Sequence, residues 1–219
     1  MKKAALVSLG IFMLASITNA QIKKGSIYFG GNISGSTVKQ NTDNSTPEGK
    51  RHTVYISPAA GVAIEDNLIA GVDLNYSNSQ SKNYLGYQDY KTHTYGGGVF
   101  LRKYITIANR FYFFGETDLG YSQYKYQSLT SAFNSYFSQT TQKTISSRLY
   151  PGLSLNVWKS FYIETSFPDL IELGYAHSTS QSNSFGTTVV SKDHNLFFDA
   201  GLLSSINLNV GLRFIIPKK

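Results

Sequence analysis

Between Ile206 and Ile216 the chain alternates. Ile206, Leu208, Val210, Leu212, Phe214 and Ile216 share one parity, and Asn207, Asn209, Gly211, Arg213 and Ile215 the other. Period-two alternation of this kind gives a β-strand one apolar and one mostly polar face. The same rhythm recurs upstream. It predicts strands over 25–38, 53–64, 68–77, 94–104, 111–124 and 144–157, a seventh from Phe161 to Ala176 interrupted at Pro168 and Asp169, and an eighth from Asn195 to Ile216. Pro58 removes a ladder donor inside the second strand, so a bulge or local kink is expected there, and Ser204 and Ser205 suggest a bulge in the eighth.

The connections also alternate. Glu65-Asp66-Asn67, the segment 105–110 and Trp158-Lys159-Ser160 are short turns. Gln40–His52, Asn78–His93, Lys125–Lys143 and Ser178–Asp193 are polar and rich in turn-forming residues, and are expected to be long loops. An even number of strands with short turns at one end and long loops at the other predicts an all-β fold: an eight-stranded antiparallel, up-and-down transmembrane barrel with both termini in the periplasm. A soluble sandwich or a lipocalin-like barrel could use the same strands with their apolar sides inward.

The polar parity decides between these. It carries Asp73, Arg102, Glu116, Asp118, Arg148, Glu164 and Arg213. The rest of that face is Gly, Ser, Asn and Tyr, not the Lys and Thr of a solvated strand. Charges of mixed sign can satisfy one another inside a barrel just wide enough to be filled by side chains. These seven residues are the candidate site, read as a charge network in the lumen. Arg102 is expected to neighbour Glu116, and Arg148 to reach Asp118. Tyr76, Tyr104, Phe111, Tyr121, Trp158, Phe161, Tyr175 and Phe198 fall near predicted strand ends, as interfacial girdles require.

Composition adjusts this picture in three places. Residues 1–20 open with Lys2 and Lys3, continue through a short apolar run and end at Thr18-Asn19-Ala20, the pattern of a cleaved signal peptide. The expected division is therefore a signal at 1–20 and a barrel domain over 21–219. The formal charge of +7 loses Lys2 and Lys3 with the signal, and the remaining basic residues are scattered, so nucleic acid is not an expected partner. There is no cysteine, so neither a disulfide nor an acylated cysteine anchor is available.

The segments GETDLGYS (Gly115 to Ser122), YPGLSLNVWKSFYIETSF (Tyr150 to Phe167) and the terminal LNVGLRF make the chain resemble the small outer-membrane β-barrels of Gram-negative bacteria. That group includes OmpX-like proteins and the OmpA membrane domain, and the style here is that of Bacteroidota members. The resemblance implies location in the cell outer membrane, contact with outer-membrane lipid and lipopolysaccharide, and passage through the barrel-assembly machinery. It also implies a monomer without a cofactor. Phe214 lies in the terminal aromatic strand, yet Ile215 to Lys219 follow it.

The expected function is a non-enzymatic structural or surface-interaction role through the outer loops. A small porin-like channel is the alternative. A lipid-modifying enzyme with a rim active site is a further one, because His52, His93, His177 and His194 all fall at predicted outer strand ends. No motif sets a nucleophile beside a base, and no histidine pair has zinc-site spacing, so no catalytic or metal residue is assigned.

Overall fold

The computed structural model describes residues 22–40, 49–83, 89–130, 136–167, 169–184, 187–201 and 209–218. The expected signal peptide, the Ser204–Ser205 bulge and the start of the terminal strand lie outside them. Ten strand segments are present: β1 (Ile27–Gln40), β2 (Gly49–Glu65), β3 (Leu68–Asn83), β4 (Asp89–Ala108), β5 (Phe111–Thr130), β6 (Tyr136–Trp158), β7 (Phe161–Ser166), β8 (Ile171–Ser184), β9 (Thr187–Ala200) and β10 (Asn209–Ile216). β7 and β8 both pair with β6 and form one interrupted wall strand. β9 pairs with β8 and β10 with β7, so they form another.

The wall thus has eight strands, all antiparallel to their neighbours. It closes where Ile27–Gly31 of β1 pair with Ile216–Leu212 of β10. Closure matters because an open edge leaves a row of unpaired backbone groups, which lipid cannot satisfy. The interruption between β7 and β8 stays tied to β6: Phe167 N donates to Pro151 O at 3.0 Å, and Leu170 N to Leu149 O at 2.8 Å.

The barrel is built inside out relative to a soluble protein. Val72, Val99, Leu119 and Leu212 each expose more than half of their surface to the outside. Arg102, Glu116, Asp118 and Glu164 are buried at 3%, 5%, 5% and 2% exposure. The parity read from the sequence is therefore the parity of the wall, with the apolar side outward. Among the described residues no helix is long and apolar enough to cross a membrane.

Two expectations are corrected. Three of the four long loops are mostly strand: β5 runs to Thr130 where a loop was expected from Lys125, and β6 starts at Tyr136. Likewise β2 begins at Gly49, β3 reaches Asn83 and β4 begins at Asp89, while β8 reaches Ser184 and β9 begins at Thr187. The extensions carry mostly polar side chains on both parities, so the apolar alternation that marks a strand disappears while the ladder continues. Short cross-strand contacts dress these extensions, such as Thr53 Oγ1 to Ser79 Oγ and Thr140 Oγ1 to Ser180 Oγ, both 3.0 Å.

Pro58 makes no bulge, although the β2–β3 pairing lapses at Ser57 and Pro58. It keeps register opposite Gly31, and β2–β3 hold one register on either side of it. The register shifts fall instead beside the three short turns, at Ala63/Glu65, Thr106/Ala108 and Asn156/Trp158. Each turn contains a left-handed residue: Asn67, Arg110 and Lys159. A left-handed residue beside a bulge gives a hairpin the twist its strands need.

The face assignment makes a first prediction. Leu212→Arg places a charge on the lipid side and should destabilise the folded barrel by roughly 2–4 kcal/mol if it lies near the midplane. Ser146→Arg, directed at the lumen cavity, should cost far less. Urea titration in lipid vesicles measures both, and equal losses would mean that the faces are reversed.

Candidate functional site

The lumen is layered. Toward the long-strand end lies a cavity of about 490 Å³ whose lining includes Asp73, Asp118, Arg148, Asp169, Glu172 and Tyr28. At the short-turn end lies a second, of about 290 Å³, roofed by Tyr112 and Tyr162. Between the two sit the buried side chains of Arg102, Tyr104, Phe114, Glu116 and Glu164.

Arg102 is the centre of that middle layer. The register that sets Arg102 opposite Glu116 across β4 and β5 lets its Nε donate to Glu116 Oε2. Its Nη1 donates to Glu164 Oε2 at 2.5 Å, although Glu164 lies 62 residues further along on β7. The guanidinium also lies against rings, with its carbon 4.4 Å from the centroid of Phe114 and 5.3 Å from that of Tyr28. Arginine suits this position because its planar fork can serve two carboxylates at once and its faces can stack.

Each carboxylate has further donors. Tyr104 Oη donates to Glu164 Oε1 at 2.6 Å, and Tyr150 Oη donates to Glu116 Oε1. Arg213 Nε lies 3.2 Å from Glu164 Oε2, while its Nη1 donates to Gly31 O at 2.7 Å and its Nη2 to Asn32 Oδ1 at 3.1 Å. Arg213 fits only because Gly30 stands opposite it: a Cβ at Gly30 would fall 2.1 Å from Arg213 Cδ.

The structure therefore brings Arg102, Glu116, Glu164 and Arg213 into one cluster. Arg148 and Asp118 form a separate bidentate pair, Nε to Oδ1 at 3.1 Å and Nη2 to Oδ2 at 2.5 Å, with the Arg148 side chain 38% exposed. Asp73 lines the outer cavity and makes no ion pair among the described residues. Glu172 lines the same cavity, and Asp199 stands opposite it in register across β8 and β9 on the same parity.

Tyr104 was assigned to an interfacial girdle and is corrected here. At 1% exposure it faces the lumen and belongs to the charge cluster. Its parity with Arg102 carried that information, and its place near a strand end obscured it. Trp158, Phe111 and Tyr76 do face outward, at 68%, 50% and 45%. Of the rim histidines, His177 and His194 stack with ring centroids 4.5 Å apart, and Tyr175 Oη meets His194 Nδ1 at 2.5 Å. His52 Nδ1 lies 3.0 Å from Thr37 Oγ1. No group of three or more potential metal ligands gathers among the described residues.

Taken together, the closed antiparallel wall, the apolar exterior and the paired charges inside define a β-barrel of the outer-membrane type. Its eight-stranded lumen is filled at mid-height by side chains. No protein-family model matches the chain, and no curated protein matches it. Among solved structures it is similar to the translocator domain of the autotransporter NalP from Neisseria meningitidis. The TM-score is 0.46 and the identity 11%, over 90% of this chain and 68% of that one.

The two ion-pair sets should respond differently. Arg102→Gln leaves buried Glu116 without its cation, while Glu164 keeps Arg213, and should cost roughly 3–5 kcal/mol. Glu116→Gln should cost less, because Glu164 still holds Arg102. Arg148→Gln also strips a buried carboxylate of its cation, but the Arg148 side chain is 38% exposed and water can reach the site, so it should cost less than Arg102→Gln. Heat-modifiable gel mobility and urea unfolding of the single and Arg102→Gln/Glu164→Gln double variants measure these. If the Arg102→Gln and Arg148→Gln losses are equal, the burial argument fails.

Proposed function

We propose that the protein is an outer-membrane barrel that works as a closed anchor and carries a surface-interaction role on the strands extending beyond the bilayer. The observation that carries this reading is strand length. A tilted membrane-spanning strand needs about 9–11 residues. β4 and β5 have 20 residues each and β6 has 23. Roughly half of each therefore lies outside the hydrocarbon. The short turns leave little room at one end, so the excess projects from the other.

The middle layer supports a closed anchor over a diffusion channel. A porin-like role would require the cluster around Arg102 to part, exposing Glu116 and Glu164 without their cation. The outer cavity favours this second reading only in part, since it supplies a wet half-channel ending at that cluster. A rim enzyme has less support: the hydroxyl hydrogen-bonded to His194 is the phenol of Tyr175, a poor nucleophile while protonated. Outer-membrane lipid and lipopolysaccharide are the proposed surroundings, and the barrel-assembly machinery the proposed route of insertion.

The natural chain has no cysteine, so single-cysteine labelling is clean. On intact cells, Gln127→Cys in the β5 extension should react with a membrane-impermeant maleimide, and Asp66→Cys in the β2–β3 turn should not. The reverse pattern would invert the orientation. In planar bilayers the wild type should give no steady conductance. A stable open current from it would replace the anchor reading with the porin-like one.

A further inference from the structure

The cavity at the short-turn end has a chemistry opposite to that of the outer one. Its lining includes Lys23, Arg110 and Lys159 and contains no Asp or Glu among the described residues. None of the three cations makes an ion pair among the described residues. Asn109, Asn156 and the phenols of Tyr112 and Tyr162 add neutral hydrogen-bonding groups. We infer that this cavity is an anion site that takes a phosphate group, either the headgroup of a membrane phospholipid or free phosphate.

Two features fix the backbone of the turns that carry Arg110 and Lys159. Asn156 ties both turns together: its N donates to Arg110 O at 2.8 Å, and its side-chain Nδ2 donates to Lys159 O at 2.8 Å. One residue thus fixes the relative position of both cation-bearing turns. Ile215 N donates to Ser160 O at 2.8 Å, which anchors the second turn to the terminal strand.

The backbone at those positions adds a further argument. Arg110 has φ 81° and Lys159 φ 41°. The left-handed region is disfavoured for L-residues other than glycine and asparagine. The third short turn uses an asparagine there, Asn67. At the two turns that border the cavity, long cations occupy positions where glycine or asparagine would fit with less strain.

The depth of the cavity suits a lipid phosphate. Trp158 adjoins Lys159, is 68% exposed, and has the Lys159 Nζ 5.2 Å from its ring centroid. Outward-facing tryptophans of membrane proteins settle at headgroup level. Several donors converging on a site without a carboxylate match a tetrahedral oxyanion with several acceptor oxygens.

The test uses the full barrel refolded in an uncharged, phosphate-free detergent. Inorganic phosphate is titrated by calorimetry in one arm. In the other, native mass spectrometry follows retention of added phosphatidylglycerol. The variant is Arg110→Asn/Lys159→Asn, since asparagine tolerates the left-handed backbone and removes both charges. Lys24→Asn, a cation at the same end outside the cavity lining, is the control.

The wild type should bind in at least one arm, the double variant should bind about tenfold more weakly or worse, and the control should match the wild type. Binding in the phosphate arm supports the site with a free anion as ligand. Binding in the lipid arm alone supports it with a headgroup as ligand. Absence of wild-type binding in both arms overturns the proposal. So does undiminished binding by the folded double variant, or an equal loss in Lys24→Asn, which would mean diffuse attraction to a basic rim. If the double variant does not fold by gel mobility, the single variants are read the same way. An undiminished affinity in both then overturns the proposal.

Discussion

Arg102 is the charge on which the interior of this barrel depends. A guanidinium buried at 3% exposure is tenable only while carboxylates face it. Glu116 and Glu164 arrive from different strands to do so, and each is held in turn by a tyrosine hydroxyl. The cluster links β4, β5, β6 and β7 across the lumen, so it couples distant parts of the wall that the ladder joins only through neighbours. The aromatic rings of Phe114, Tyr28 and Tyr104 exclude water around it, which strengthens the pairing and raises the cost of losing either sign.

That filled layer divides the lumen into two chemically distinct compartments. The outer one carries carboxylates beyond those engaged with arginine, such as Asp73, Asp169 and Glu172. The inner one is lined by Lys23, Arg110 and Lys159. A scattered basic charge along the chain therefore resolves, in three dimensions, into segregated regions. Sequence charge counts average over this separation and carry no trace of it.

Hairpin geometry and wall geometry are coupled at the short-turn end. The bulges beside Asn67, Arg110 and Lys159 supply the twist that lets long, tilted strands return without a loop. At the far end the same ladders continue as paired ribbons. Extended ladders with short cross-strand polar contacts hold their shape better than free loops of equal length, because each added residue is paired with a neighbour.

The alternation of Leu212, Phe214 and Ile216 with Gly211, Arg213 and Ile215 was enough to place a strand and split its faces. Repeated eight times, it was enough to expect this barrel. It also carried the pairing of Arg102 with Glu116, since hairpin register follows from a short turn; Arg148 meets Asp118 across β5 and β6, which are joined at the far end. What it left out has a common physical cause. The strand extensions, such as 125–130 and 136–143, were invisible because their side chains are mostly polar on both parities and alternation needs one apolar face. Glu164 met Arg102 and Tyr104 only through closure of the wall, which brings β7 across from β4 despite a separation of about sixty residues in sequence. Local pattern determined the strands and their faces. Closure of the sheet decided which charges meet, which side chains fill the lumen, and where the cavities lie.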